Sequence, residues 1–140
     1  MAGTPRRRIA RRTDDNATIT YALPALGSIH QRAGRIDRAE SCYAEALERS
    51  RAGGEAHPRA KALIGLAWAE IARRRRQSAQ QLIAESITQS QRMSFRLCEA
   101  DGHAALAELL RRQGHRRRAE RAMKVAHTLY RRCRGEYEYD

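Results

Sequence analysis

A recurrence at forty residues constrains this chain more than any other feature. Gly27, Ala67 and Ala107 stand forty apart, and so do Ala39, Ala79 and Ala119. Leu26, Leu66 and Leu106 hold a second register, and Leu23, Leu63 and His103 a third. Tyr43, Ile83 and Met123 supply a large residue at another, with Ala46, Ser86 and Ala126 three places later. Small side chains at fixed offsets mark where helix backbones approach closely, and the large ones fill the space beside them. The first copy is the clearest. Leu23, Leu26, Ile29, His30 and Ala33 recur at steps of three and four, Gly34 interrupts, and Ile36, Ala39, Tyr43, Ala46 and Leu47 form a second stripe. That pattern predicts two helices folded back on each other through a tight turn. Such a hairpin cannot bury both faces alone, so its copies must stack.

At these residues the chain resembles the tetratricopeptide repeat family. The family pattern sets a large apolar residue, then Leu-Gly or Leu-Ala three places on, then Ala-x-x-x-aromatic in the second helix. Here it reads Leu23-x-x-Leu26-Gly27 with Ala39-x-x-x-Tyr43, Leu63-x-x-Leu66-Ala67 with Ala79-x-x-x-Ile83, and His103-x-x-Leu106-Ala107 with Ala119-x-x-x-Met123. The resemblance covers residues 20 to 133. It departs from the pattern in three ways: the spacing is forty instead of about thirty-four, the usual proline closing the second helix is missing, and Arg74 stands where Gly34 and Gly114 mark the turn. The longer spacing is similar to a subtype with longer helices. The implied fold is all-α, a right-handed superhelical array of three antiparallel helix hairpins. The repeats are expected at about 20–55, 58–93 and 95–133.

Composition agrees with helices. One Phe and one Trp occur among 140 residues, and the abundance of Ala, Leu, Arg and Glu starves strands. Cys42, Cys98 and Cys133 lie far apart with no CxxC or Cys/His cluster, so neither a disulfide framework nor a zinc site is indicated. We read them as reduced thiols of a cytoplasmic protein. No apolar run reaches membrane-spanning length. Residues 1–16 carry Arg6, Arg7, Arg8, Arg11 and Arg12 and read as a disordered basic arm. Pro24 favours a first helix starting near Tyr21. The segment 134–140 reads as an acidic, aromatic, non-helical tail. Gly53 and Gly54 end the second helix, Pro58 fits the first turn of the third, and Ser90 or Ser94 is the best cap at the next join.

The formal charge is +12, with 28 Lys and Arg against 16 acids. In stacked hairpins the turns within repeats share one edge. Those turns place Arg32, Arg35, Arg38, Arg73, Arg74, Arg75, Arg76, Arg111, Arg112, Arg116, Arg117 and Arg118 together, with Asp37 as their only acid. Such a ridge would attract phosphates or acidic partners. No RNA-binding signature, aromatic platform or groove-reading helix accompanies it, so base-specific recognition is unsupported.

The resemblance also implies a concave groove lined by first helices. Its positions fall on Tyr21, Pro24 and Ser28, on Lys61, Ile64, Trp68 and Ile71, and on Asp101, Ala104, Glu108, Arg111 and Arg112. Trp68 between Ile64 and Ile71 would suit a partner helix or extended peptide, with Arg111 and Arg112 pairing its acids. The alternative for Trp68 is a core residue in a gap between repeats. The family's Lys and Asn pattern for binding a terminal carboxylate is missing.

Catalysis and cofactors find no support. His30 and His103 sit at core positions, and His57, His115 and His127 have no partner spacing. We therefore expect a non-enzyme with no cofactor or metal that acts as a protein-interaction adaptor. The alternative is a nucleic-acid or polyanion-binding module using the arginine edge and the arm. The last helix carries Met123, Val125, Ala126, Leu129 and Tyr130, more apolar surface than one neighbour would cover. That surplus predicts cover from the Tyr137/Tyr139 tail, a second copy or a larger partner.

Overall fold

In a computed structural model the chain forms six helices: α1 (Pro5–Arg32), α2 (Ile36–Gly53), α3 (Ala56–Ala72), α4 (Arg76–Arg92), α5 (Arg96–Arg112) and α6 (Arg116–Glu138). The structure describes residues 5–138, with side chains over 15–135. No strand occurs among the described residues. The expected all-α array of three hairpins is therefore present, as α1–α2, α3–α4 and α5–α6.

All five joints are built alike. Gly34, Gly54, Arg74, Ser94 and Gly114 take φ of 80°, 78°, 61°, 57° and 83°, so one left-handed residue recurs every twenty positions. After each, the next amide reaches back five residues: Arg35 N to His30 O, Glu55 N to Ser50 O, Arg75 N to Glu70 O, Phe95 N to Ser90 O and His115 N to Leu110 O, all at 2.9–3.1 Å. This is the Schellman closure, which satisfies carbonyls that a helix end would leave bare. Arg74 thus occupies the glycine position without changing the turn, at a steric cost of about 1 kcal/mol. Ser94 serves as the reversal itself and not as a cap, because helix α5 has no side-chain cap at Phe95.

Helix α1 begins well before Tyr21. Residues 5–16, expected as a disordered arm, continue it, and Pro24 lies inside it. Packing overrides the missing N–H: Thr20, Leu23, Pro24 and Gly27 are all buried. The segment expected as a non-helical tail likewise continues α6 through residue 138.

Backbone packing runs between consecutive helices and between α1 and α3 and α3 and α5; among the described residues the second helices are not packed on one another, although the Arg51–Glu85 ion pair at 3.6 Å links α2 to α4. The first helices thus form a close inner row and the second helices a splayed outer one, which makes the inner face concave. Tyr43 locks the first junction. A Cβ added at Gly27 would fall 2.7 Å from its ring, and one at Gly65 would fall 2.3 Å away, so only glycine admits the ring from both sides. Ala67, Ile71, Ala79, Ile83, Ala105 and Leu109 form the central core.

Two parts of the expected packing differ. Leu26 and Ile29, assigned to the hairpin stripe, are 46% and 58% exposed, because that face of α1 points away from α2. On α6, Ala119, Ala122, Ala126 and Cys133 are buried, leaving Met123 and Val125 exposed without forming a stripe. The Tyr137/Tyr139 side chains lie outside those described.

Candidate functional site

The inner row holds a cavity of about 540 Å³. The forty-residue register builds it, because equivalent positions from each repeat face the same hollow. Pro24, Ile64 and Ala104 are one such set, and Lys61 with Asp101 is another. Ser28 and Trp68 share a third position, whose counterpart Glu108 is turned elsewhere. Ala25, Gln31 and Arg32 of α1, Tyr43 of α2, Gly65 of α3 and Tyr130 of α6 complete the walls.

Trp68 is half-buried and belongs to both worlds offered by the sequence. It packs on the central core and on the Ala60, Ile64 and Cys98 cluster while also lining the cavity. That anchoring fixes its ring with little entropy left to lose on binding. Tyr43 donates from its hydroxyl to Gln31 Oε1 at 3.0 Å. Tyr130 donates to the Asp101 carboxylate, and burial together with that acid pushes the phenol well above its ordinary range. Asp101 is therefore engaged within the chain. Arg32 and Lys61 have no ion-pair partner among the described residues, which leaves the free charge of the cavity positive.

Five expected groove residues, Tyr21, Ile71, Glu108, Arg111 and Arg112, do not line the cavity. Ile71 is 2% exposed, at the centre of the core, because its angle on α3 faces α4 and α5. Arg111 and Arg112 are turned onto Glu108: Arg111 Nε and Nη2 donate to it at 3.0 and 2.7 Å and Arg112 Nε at 2.8 Å. These hydrogen bonds hold the Glu108 carboxyl at about 2. Both guanidiniums are thus turned onto a single carboxylate, which leaves one net positive charge at this corner. Tyr21 stacks on His57 with centroids 6.4 Å apart, and His57 meets the Phe95 ring edge-on at 5.1 Å. Burial and nearby Lys61 lower the His57 pKa.

Gln31, Tyr43, Gly65 and Tyr130 were not singled out from sequence as groove residues, and Arg32 was assigned to the edge. A change of size carried the signal for Tyr130, which replaces Ser50 and Ser90 at its register position and so projects further.

The arginines of the expected edge are less bare than their sequence suggested. Arg73 pairs with Asp37 and Glu40, and Arg75 with Glu70 at 3.3 Å. Arg35 donates from Nε to His30 Nδ1 at 2.9 Å. Arg74, Arg76 and Arg112 rim a second hollow of about 360 Å³ over Ile71 and Leu109. Arg116, Arg117 and Arg118 are exposed at the start of α6. Among the described residues no group of three or more His, Cys, Asp or Glu could hold a metal ion, and no helix is long and apolar enough to cross a membrane.

Stacked hairpins whose first helices line a concave hollow define a helical-repeat protein. A family model for the tetratricopeptide repeat matches residues 15–92, more than half of the chain, and the chain belongs to that family. Its repeats generally mediate protein–protein interaction and are typically non-catalytic. The third hairpin continues past the matched span with the same joint geometry. No curated protein and no solved structure matches the chain.

Proposed function

We propose that this protein is an interaction adaptor that receives an extended segment of a partner protein in the cavity between α1, α3 and α5. The observation that carries this reading is the anchored Trp68, beside Ile64, with Arg32 and Lys61 left unpaired around the same hollow. A cavity of about 540 Å³ takes two or three side chains of a peptide better than a whole helix face. An apolar side chain would rest on Trp68 and Ile64, and flanking acids would meet Lys61 and Arg32. Asp101, held by Tyr130, would favour a segment whose acids lie towards α1 and α3. The free thiols Cys42, Cys98 and Cys133 suit a reducing, cytoplasmic setting.

The test compares partners captured by the intact protein with those captured by Trp68→Ala and by Lys61→Glu. Lys61 is exposed, so its reversal leaves the fold in place and isolates the charge. Both variants should lose the same partner, with helical circular dichroism retained. An unchanged captured set from two folded variants would remove the cavity as the binding site. Polyanion binding by the edge finds no independent support, because Asp37, Glu40, Glu70 and Glu108 are interleaved with its arginines.

A further inference from the structure

The exposed face of α1 is a ready-made helix-packing surface. Asp15, Ile19, Ala22, Leu26, Ile29 and Ala33 follow one another at alternating steps of four and three, the heptad spacing of a two-helix seam. Ile19, Leu26 and Ile29 are 41%, 46% and 58% exposed. One repeat later the matches of Ala22 and Ile29, Ala62 and Ala69, are 0% and 1% exposed and Leu66, the match of Leu26, is partly buried, because α2 packs on that side of α3. In α5 the matching Leu109 is 3% exposed beneath α4. Among the described residues no helix lies on α1 as α2 lies on α3 and α4 on α5.

We propose that a second copy of this chain supplies that helix, its α1 lying antiparallel against the first in a two-fold symmetric dimer. Two observations select this arrangement over other contacts between copies. The first is that the stripe is self-complementary. An antiparallel pairing that sets Ile19 against Ile29 and Ala22 against Leu26 also brings Asp15 to the level of Ala33 in the other copy. There it lies beside the cations Arg32 and Arg35, and the same contact occurs twice. The second is that the opposite end of the array does not fit α1. Leu47 packs against the α3 residue Ala62, and Ile87 lies 2.7 Å from a Cβ built on Gly102 of α5. Their counterpart on α6 is the exposed His127. Met123 and Val125 point to different sides of α6. Head-to-tail stacking of α6 on α1 would therefore set a polar residue where the seam needs an aliphatic one. Pairing through α1 closes the contact and leaves the cavity of each copy open, since Pro24, Ser28 and Gln31 lie on another side of the helix, with Arg32 between the two sides.

Sedimentation of the full chain over a concentration series tests this. The expected mass is twice 15.9 kDa at the upper concentrations. Leu26→Glu with Ile29→Glu should abolish the dimer while helical circular dichroism is kept, as both residues are exposed in a single copy. Asp15→Arg should weaken it, and Asp15→Arg combined with Arg35→Glu should restore it; neither residue is buried or lines the cavity. A monomer at every concentration overturns the proposal. So does a dimer that survives the two glutamates, or an assembly lost with Met123→Glu instead.

Discussion

Gly65 shows how much one missing methyl group can decide. It shares the Tyr43 ring with Gly27, and the ring has no side to retreat to, since a Cβ at either position would overlap it. Alanine normally gains helix stability over glycine, by about 0.5–1 kcal/mol. Here the overlap outweighs that gain, so Gly65→Ala should destabilise the fold by about 1–3 kcal/mol, read as a fall of several degrees in Tm. Titrating residues set a second expectation. Folding lowers the pKa of His57 and His103 from 6.5, mainly through burial. Below that value the unfolded chain takes up protons that the folded one resists, so stability falls with acidification. Glu108 behaves as a depressed carboxylate: its contribution is complete above 4.5 and is lost as pH drops towards 2. Thermal melts should thus decline in two stages, and Glu108→Gln should remove the lower stage only.

At the scale of helices, the three hairpins and their phase were legible in the sequence, because small residues at forty-residue spacing must mark close helix contacts. The uniformity of the joints was less so. Gly34, Gly54 and Gly114 advertise a left-handed turn, whereas Arg74 and Ser94 adopt it with nothing local to announce it. Arg74→Gly should accordingly raise stability by about 1 kcal/mol, measurable as a higher denaturation midpoint at unchanged slope. Position on a helix turn was the hardest feature to read. Ile71 and Ile64 stand almost two whole turns apart on the same side of α3, so it is their level along the helix that sets the first in the core beneath α4 while the second also reaches the cavity. Arg111 and Arg112 looked free because the sequence does not show which way Glu108 turns. Leu26 looked sheltered because its counterparts Leu66 and Leu106 are partly buried, each on a helix that follows another hairpin; among the described residues nothing packs on that side of α1.

Across the whole molecule, a charge of +12 on 140 residues imposes self-repulsion that the edge ion pairs relieve only locally. Exposed pairs such as Arg49–Glu45 contribute about 0–1 kcal/mol each, so screening costs little there and reduces the repulsion everywhere. Raising salt from low to moderate should therefore increase Tm, and a decrease would mean that the ion pairs dominate. The joints every twenty residues also govern how the chain folds and how it could change length. Among the described residues no backbone packing joins helices more than two apart, so ordering can start in any hairpin and spread both ways, and the search for the native state stays local. Removing or adding one whole forty-residue unit, cut between the equivalent residues Gly34 and Arg74 so that Tyr43 and Gly65 go together, would keep every remaining helix in phase. Losing a single residue within a helix would rotate everything after it by about 100° and unseat the next interface. Growth by duplication is thus the change this architecture tolerates best, and small insertions within helices are the changes it resists.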